Sequence, residues 1–159
     1  YYRGLSYEYY GDTTSAINDY SIALKLDNSD ISALNNRAYL YLNKNQFNSA
    51  IADFTRLIKQ IPKDKDYNLA RGNAYFNSGN FKKAVADYTE FLKLNPDNAE
   101  VIYNRGKAFR HSGNYEKAIV DYRKFIAIAK TTPELSHYID PVNSEIEFLK
   151  SKLKWKYEA

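Results

Sequence analysis

Along residues 99–112, Ile102, Gly106 and Phe109 recur at helical spacing, and along 115–128 Ala118, Ile119, Tyr122, Phe125 and Ile126 do the same. The pattern predicts two amphipathic helices. Gly113-Asn114 lies between them, residue types that tolerate the left-handed backbone a tight interhelical turn needs. The same pattern returns every 34 residues. Arg3, Arg37, Arg71 and Arg105 share one column, Ala16, Ala50, Ala84 and Ala118 another, and Asp19, Asp53, Asp87 and Asp121 a third. Aromatic columns run through Tyr20, Phe54, Tyr88 and Tyr122 and through Tyr7, Tyr41, Tyr75 and Phe109. Gly4, Ala38, Gly72 and Gly106 hold a small-residue column.

The turn pair of the last copy is matched by Gly79-Asn80, Gly11-Asp12 and Asn45-Gln46. The second helix of a copy is expected to stop near Pro62 and near Asn95-Pro96-Asp97-Asn98, because proline cannot continue it and Asp or Asn can cap the next. Small positions let two backbones approach while Tyr and Phe fill the space beside them. One copy cannot bury these faces alone, so the copies are expected to stack. The period divides the chain into a shortened copy at 1–30, three full copies at 31–64, 65–98 and 99–132, and a tail at 133–159. In the tail, Asp140-Pro141 reads as an N-cap and first-turn pair. Val142, Ile146, Leu149 and Leu153 then form one apolar line at spacings of 4, 3 and 4, predicting a capping helix over 141–157. A membrane-surface helix is the alternative; Glu145 and Glu147 and the position after the last repeat favour the cap. Trp155 reads as core or cap packing, with a partner contact as the alternative.

The run Asn104-Arg105-Gly106-x2-Phe109-x3-Gly113-x-Tyr115-x2-Ala118-Ile119-x2-Tyr122 resembles the tetratricopeptide repeat. The resemblance covers residues 1 to about 132. Three departures stand out: Leu34, Asn68 and Ile102 replace the first-helix Trp, Asn28 and Lys130 replace the terminal Pro, and the first copy is short. The fold it implies is an all-α, right-handed α-solenoid (α-α superhelix) of helix-turn-helix repeats with a C-terminal capping helix. The implied function is a non-catalytic protein-binding scaffold, whose concave groove takes an extended peptide or a helix of a partner.

Composition narrows the chemistry. No Cys removes disulfides, thiolate metal sites and thiol nucleophiles, and two His leave little for metal or acid–base work. No Ser/His/Asp spacing, phosphate-binding glycine loop or paired-carboxylate cleft is visible, so no catalytic residue, cofactor or metal is expected. No apolar run reaches the length of a membrane span. Net charge is +4, but 19 acidic residues dilute it and no nucleic-acid-binding motif appears. The chain opens without an initiator Met or a leader, reads as an excised fragment, and suggests more chain upstream.

Carried residue by residue onto this sequence, the family's groove falls on Tyr1, Leu5, Glu8 and Tyr9, then on Asn35, Asn36, Tyr39, Leu42 and Asn43. The third copy contributes Asp66, Leu69, Asn73, Phe76 and Asn77, and the fourth Glu100, Tyr103, Asn104, Lys107, Arg110 and His111. Asn36, Asn43, Asn73, Asn77 and Asn104 either hold a peptide backbone, since an amide donates and accepts, or are simply solvated. Lys107, Arg110 and His111 share a helical face in the copy with seven basic residues against three acidic. They suit an acidic peptide or a terminal carboxylate, or form a solvated cationic face with Glu100 beside it. The chaperone-clamp pattern of the family fits in neither frame tried: Tyr1, Leu5, Asn36, Asp66 and Ala70, or Asn35, Tyr39, Ala70, Glu100 and Asn104. The Arg and Asp columns are expected to pair within or between repeats, fixing geometry more than adding stability. Self-association through the open first repeat is the alternative function.

Overall fold

The computed structural model describes the backbone of residues 1–158 and the side chains of 1–154; Trp155 and its expected packing lie outside the described side chains. Helices α1 (Tyr2–Tyr9), α2 (Thr13–Leu26), α3 (Ile31–Asn43), α4 (Phe47–Gln60) and α5 (Asp66–Asn77) belong to one compact unit, residues 1–79. Helices α6 (Phe81–Leu92), α7 (Ala99–His111), α8 (Tyr115–Ala129) and α9 (Ile139–Glu158) belong to another, residues 80–159. No strand occurs among the described residues. Within each unit, helices adjacent in the chain pack on each other, so contacts stay local.

The interhelical turns follow from backbone chemistry. Gly11, Asn45, Gly79 and Gly113 all take positive φ, between 58° and 80°. After three of these turns the next N–H reaches back to the closing helix: Asp12 to the Tyr7 carbonyl, Gln46 to Tyr41 and Asn114 to Phe109, at 2.8, 2.8 and 2.9 Å. Asp12 and Asn114 also open the next helix, accepting from the backbone N–H of Ser15 and Lys117. One residue thus ends one helix and starts the other. Asp30 and Asn98 cap α3 and α7 in the same way.

Packing follows the columns. Tyr20, Phe54, Tyr88 and Tyr122 are buried, as is the alanine column Ala16, Ala50, Ala84 and Ala118. A Cβ added at Gly4 would lie 2.9 Å from the Tyr20 ring, and one at Gly106 would lie 2.7 Å from Tyr122. These glycines are therefore sites of close approach. In the copy whose buried aromatic is Phe54, this column holds Ala38, which is itself buried.

Every second helix buries an aspartate, and Arg3, Arg37 and Arg105 supply the charge partners of Asp19, Asp53 and Asp121 within the same repeat. Arg37 donates from Nε and Nη2 to the two Asp53 oxygens at 2.8 Å each. Arg105 does the same to Asp121 at 2.8 Å each, and Arg3 to Asp19 at 2.6 and 2.7 Å. The remaining nitrogen looks the other way. Nη1 of Arg37 donates to Ser21 on α2, Nη1 of Arg71 to Thr55 on α4, and Nη1 of Arg105 to Thr89 on α6, at 2.9, 3.0 and 3.2 Å. Each guanidinium joins its own repeat to the second helix before it.

The cap differs from expectation at its start. Pro133–Tyr138 forms a 3-10 helix, and Ile139 continues it with φ −61° and ψ −51°. The chain never leaves helical geometry, so Asp140 sits in the first turn of α9 instead of capping it. The apolar line holds: Val142, Ile146 and Leu149 are buried, Leu153 is half-buried, and α9 packs on α8.

Two substitutions test this framework. Gly106→Ala gains about 1 kcal/mol of helix propensity but forces overpacking worth about 1–3 kcal/mol, so a net loss is expected as a lower urea midpoint. Arg37→Leu strands the buried Asp53 carboxylate and should cost about 3–5 kcal/mol in thermal melts. Adding Asp53→Asn should recover part of that loss.

Candidate functional site

The groove positions of the first unit form a polar chain at their base. Asn35 Nδ2 donates to Asn36 Oδ1, Asn36 Nδ2 donates to the Tyr20 hydroxyl, and Tyr20 donates to Glu8 Oε2, at 3.2, 3.2 and 2.8 Å. Asn36 is thus engaged with the column beneath it, with one amide hydrogen left over. Tyr39 is 37% exposed and rests edge-on against Phe54, ring centroids 5.1 Å apart. Burial pushes its phenol up, and Tyr67, Asp66 and Asp64 push the same way. Asn43 and Asn77 are exposed at the last residues of α3 and α5, while Leu69, Asn73 and Phe76 are half-buried on α5. Asn36 therefore supports the aromatic column, while Asn43 and Asn77 are exposed to solvent.

In the second unit, Tyr103 packs against Phe125 at 5.0 Å and near Tyr138 at 6.3 Å. Glu100, Tyr103, Phe125, Leu135 and Tyr138 line a cavity of 350 Å³. Asn104 is half-buried on α7. Of these, Phe125, Leu135 and Tyr138 escaped the sequence reading as site residues. Tyr138 stands one period beyond Asn104, so extending the repeat into the tail would have found it.

The three basic side chains expected on one face are separately occupied. Arg110 Nε lies 2.6 Å from Glu145 Oε1 on α9. Its N–H points off that line, so the contact is an ion pair by proximity and not an aligned hydrogen bond. Lys107 Nζ sits over the Tyr103 ring at 5.1 Å; burial lowers its pKa, with Glu100 opposing. His111 stacks on Phe81 with centroids 4.7 Å apart. Glu145 lies off the 34-residue period, and no sequence signal marked it as the partner of Arg110. Among the described residues no three His, Asp or Glu gather as a metal would require, and no helix is long and apolar enough to cross a membrane.

Two family models described as tetratricopeptide repeat match residues 31–64 and 69–131, together more than half of the chain. Among solved structures, that of MamA has a TM-score of 0.74 at 20% identity, over 98% of this chain and 97% of that one. A thermophilic tetratricopeptide repeat protein of Thermus thermophilus has a TM-score of 0.59 at 19% identity, over 90% and 79%. PcrH, crystallised in complex with the chaperone binding region of PopD, has a TM-score of 0.64 at 14% identity, over 75% and 90%. At these identities the likeness is one of fold. No curated protein sequence matches the chain.

The buried tyrosines beneath the site set an alkaline limit. Burial raises the phenols of Tyr20, Tyr88 and Tyr122 far above their ordinary 10.0. The unfolded chain therefore loses these protons first: stability is full below pH 10.0 and falls as pH rises beyond it. Phenolate absorbance should show these tyrosines ionising only together with the loss of helix. A titration completed while the helices persist would contradict the burial.

Proposed function

Because the chain belongs to the tetratricopeptide repeat family, we propose that it is a non-catalytic protein-interaction scaffold. Its partner segment, an extended peptide or a single helix, lies in the concave groove that the family builds from its first helices. The cavity beside Tyr103 carries this reading. An apolar recess walled by aromatic rings and rimmed by Glu100 suits one anchoring side chain, as peptide sites commonly require. Tyr39, with Asn43 close by on α3, offers a second contact of aromatic and amide character. An amide facing a peptide bond is tolerant of sequence, whereas the aromatic recess selects. The bound segment of PopD in the PcrH complex supports a peptide-binding role for this fold.

Lys107, Arg110 and His111 enter this reading as supports. Lys107 covers one side of Tyr103, and Arg110 ties α7 to α9 through Glu145. A variant such as Arg110→Glu would place two carboxylates together and loosen α9 as well as weaken any ligand contact.

A peptide-display selection against the whole chain tests the proposal. Selected peptides should bind saturably, and Tyr103→Ala should weaken them about tenfold, equivalent to about 1.4 kcal/mol. Asn73→Ala should have a smaller effect. Binders indifferent to both Tyr103→Ala and Tyr39→Ala would refute the groove. A steep fall of binding with salt would instead point to phosphate contacts and a nucleic acid.

A further inference from the structure

The recess beside Tyr103 combines aromatic walls with a carboxylate. Tyr103, Phe125 and Tyr138 line its 350 Å³ together with Leu135 and Glu100. Ring centroids are 5.0 Å apart for Tyr103 and Phe125, 6.3 Å for Tyr103 and Tyr138, and 6.2 Å for Phe125 and Tyr138, with planes inclined at 37°, 45° and 78°. The rings are separate walls and not one parallel stack. Centroids this close can all lie within the reach of about 6 Å over which one cation attracts an aromatic ring. Glu100 is exposed and makes no hydrogen bond or ion pair among the described residues. The basic groups nearby are held elsewhere: Arg110 pairs with Glu145, and Lys107 lies over the Tyr103 ring without being a wall of the recess.

We propose that this recess binds the methylated ammonium of an N-methylated lysine on the partner segment. The inference rests on the groove reading above and narrows it to one anchoring chemistry. Glu100 supplies the charge that a cation answers, and the three rings supply negative π faces around it. A neutral aliphatic anchor would fill the same space but leave the carboxylate beside apolar atoms with no charge to match.

The count of hydrogen-bond donors separates methylated from unmethylated cations. A guanidinium carries five N–H groups and a free ammonium three. The side-chain acceptors lining the recess belong to Glu100 and two tyrosines, so donors pressed against the rings would go unpaired. Each N-methyl group replaces a donor with apolar surface that the rings can cover, while the charge stays.

The test titrates Nα-acetyl-Nε-trimethyl-lysine amide into the whole chain, followed by NMR of the aromatic rings. The unmethylated lysine derivative, a neutral isostere with carbon in place of the charged nitrogen, and choline are titrated alongside. The trimethylated derivative should bind saturably, about tenfold more tightly than the unmethylated or the neutral one. Tyr138→Leu should weaken it about tenfold and Tyr138→Phe should not, because only the latter keeps a π face; Tyr138 is 41% exposed, so both variants should fold. Glu100→Gln should weaken it as well. Absence of binding, or equal binding of the neutral or unmethylated derivative, overturns the inference. Choline binding more tightly than the lysine derivative would assign the recess to a free small molecule and overturn it equally. The groove reading survives any of these results if display-selected peptides still lose affinity with Tyr103→Ala, and fails separately if they are indifferent to that change and to Tyr39→Ala.

Discussion

A carboxylate buried in the middle of every second helix is the constraint to which the rest of this structure answers. Asp19, Asp53, Asp87 and Asp121 are all nearly inaccessible to solvent. Such a group is tolerable only with its charge matched and its lone pairs filled. A guanidinium does both with one planar fork, which a lysine ammonium cannot. Because the fork fixes direction as well as distance, the first helix can meet the second in one register only. That register places Gly4 and Gly106 against the rings of Tyr20 and Tyr122. The hydrophobic contacts then supply most of the stabilisation, while the ion pair selects which contacts form. The third nitrogen extends the selection to the preceding helix, through a hydroxyl that has little else to offer in a helix interior.

What could be read from the sequence follows the same division. Columns that repeat a rare requirement were legible: a positive-φ residue at Gly11, Asn45, Gly79 and Gly113, a small residue at a helix crossing, an Arg matched to an Asp. The hydroxyl column Ser21, Thr55 and Thr89 recurs through three copies but passed unnoticed, since Ser and Thr on a helix usually bond their own backbone and call for no partner. Outside the period the sequence had less to give. Nothing local distinguishes a 3-10 helix at Pro133–Tyr138 from a linker, and Asp140 looks like a cap whether or not the chain is already helical. The pairing of Arg110 with Glu145 depends on how α9 lies across α7 and α8, which no spacing along the chain encodes.

The candidate site shows why a groove inferred from position alone overstates what is available. Positions that face a groove also border the aromatic column, and a tyrosine hydroxyl emerging there must be satisfied. Asn36 and Glu8 meet that need for Tyr20, so part of their polar capacity belongs to the fold. Cations near a carboxylate or a ring are drawn to it before any ligand arrives, as Arg110 and Lys107 are. The side chains left to recognise a partner are those whose bodies are supported and whose tips are not: Tyr39 on Phe54, and Tyr103 beside Phe125. Preorganised aromatics of this kind lose little entropy on binding.

Stopping the repeat requires undoing the same interaction that propagates it. A fifth repeat would bring an arginine toward position 123, where Ser or Thr would have received it, and Arg123 meets it with like charge. On the other side of that interface, the period would place the incoming arginine at 139, and the residue there is Ile139. Both halves of the link are therefore replaced together. α9 docks on α8 through Val142, Ile146 and Leu149, an attachment that needs no hydroxyl and no buried charge. An apolar stripe can satisfy the open face of α8 without specifying a further partner, because it leaves no unpaired donor behind.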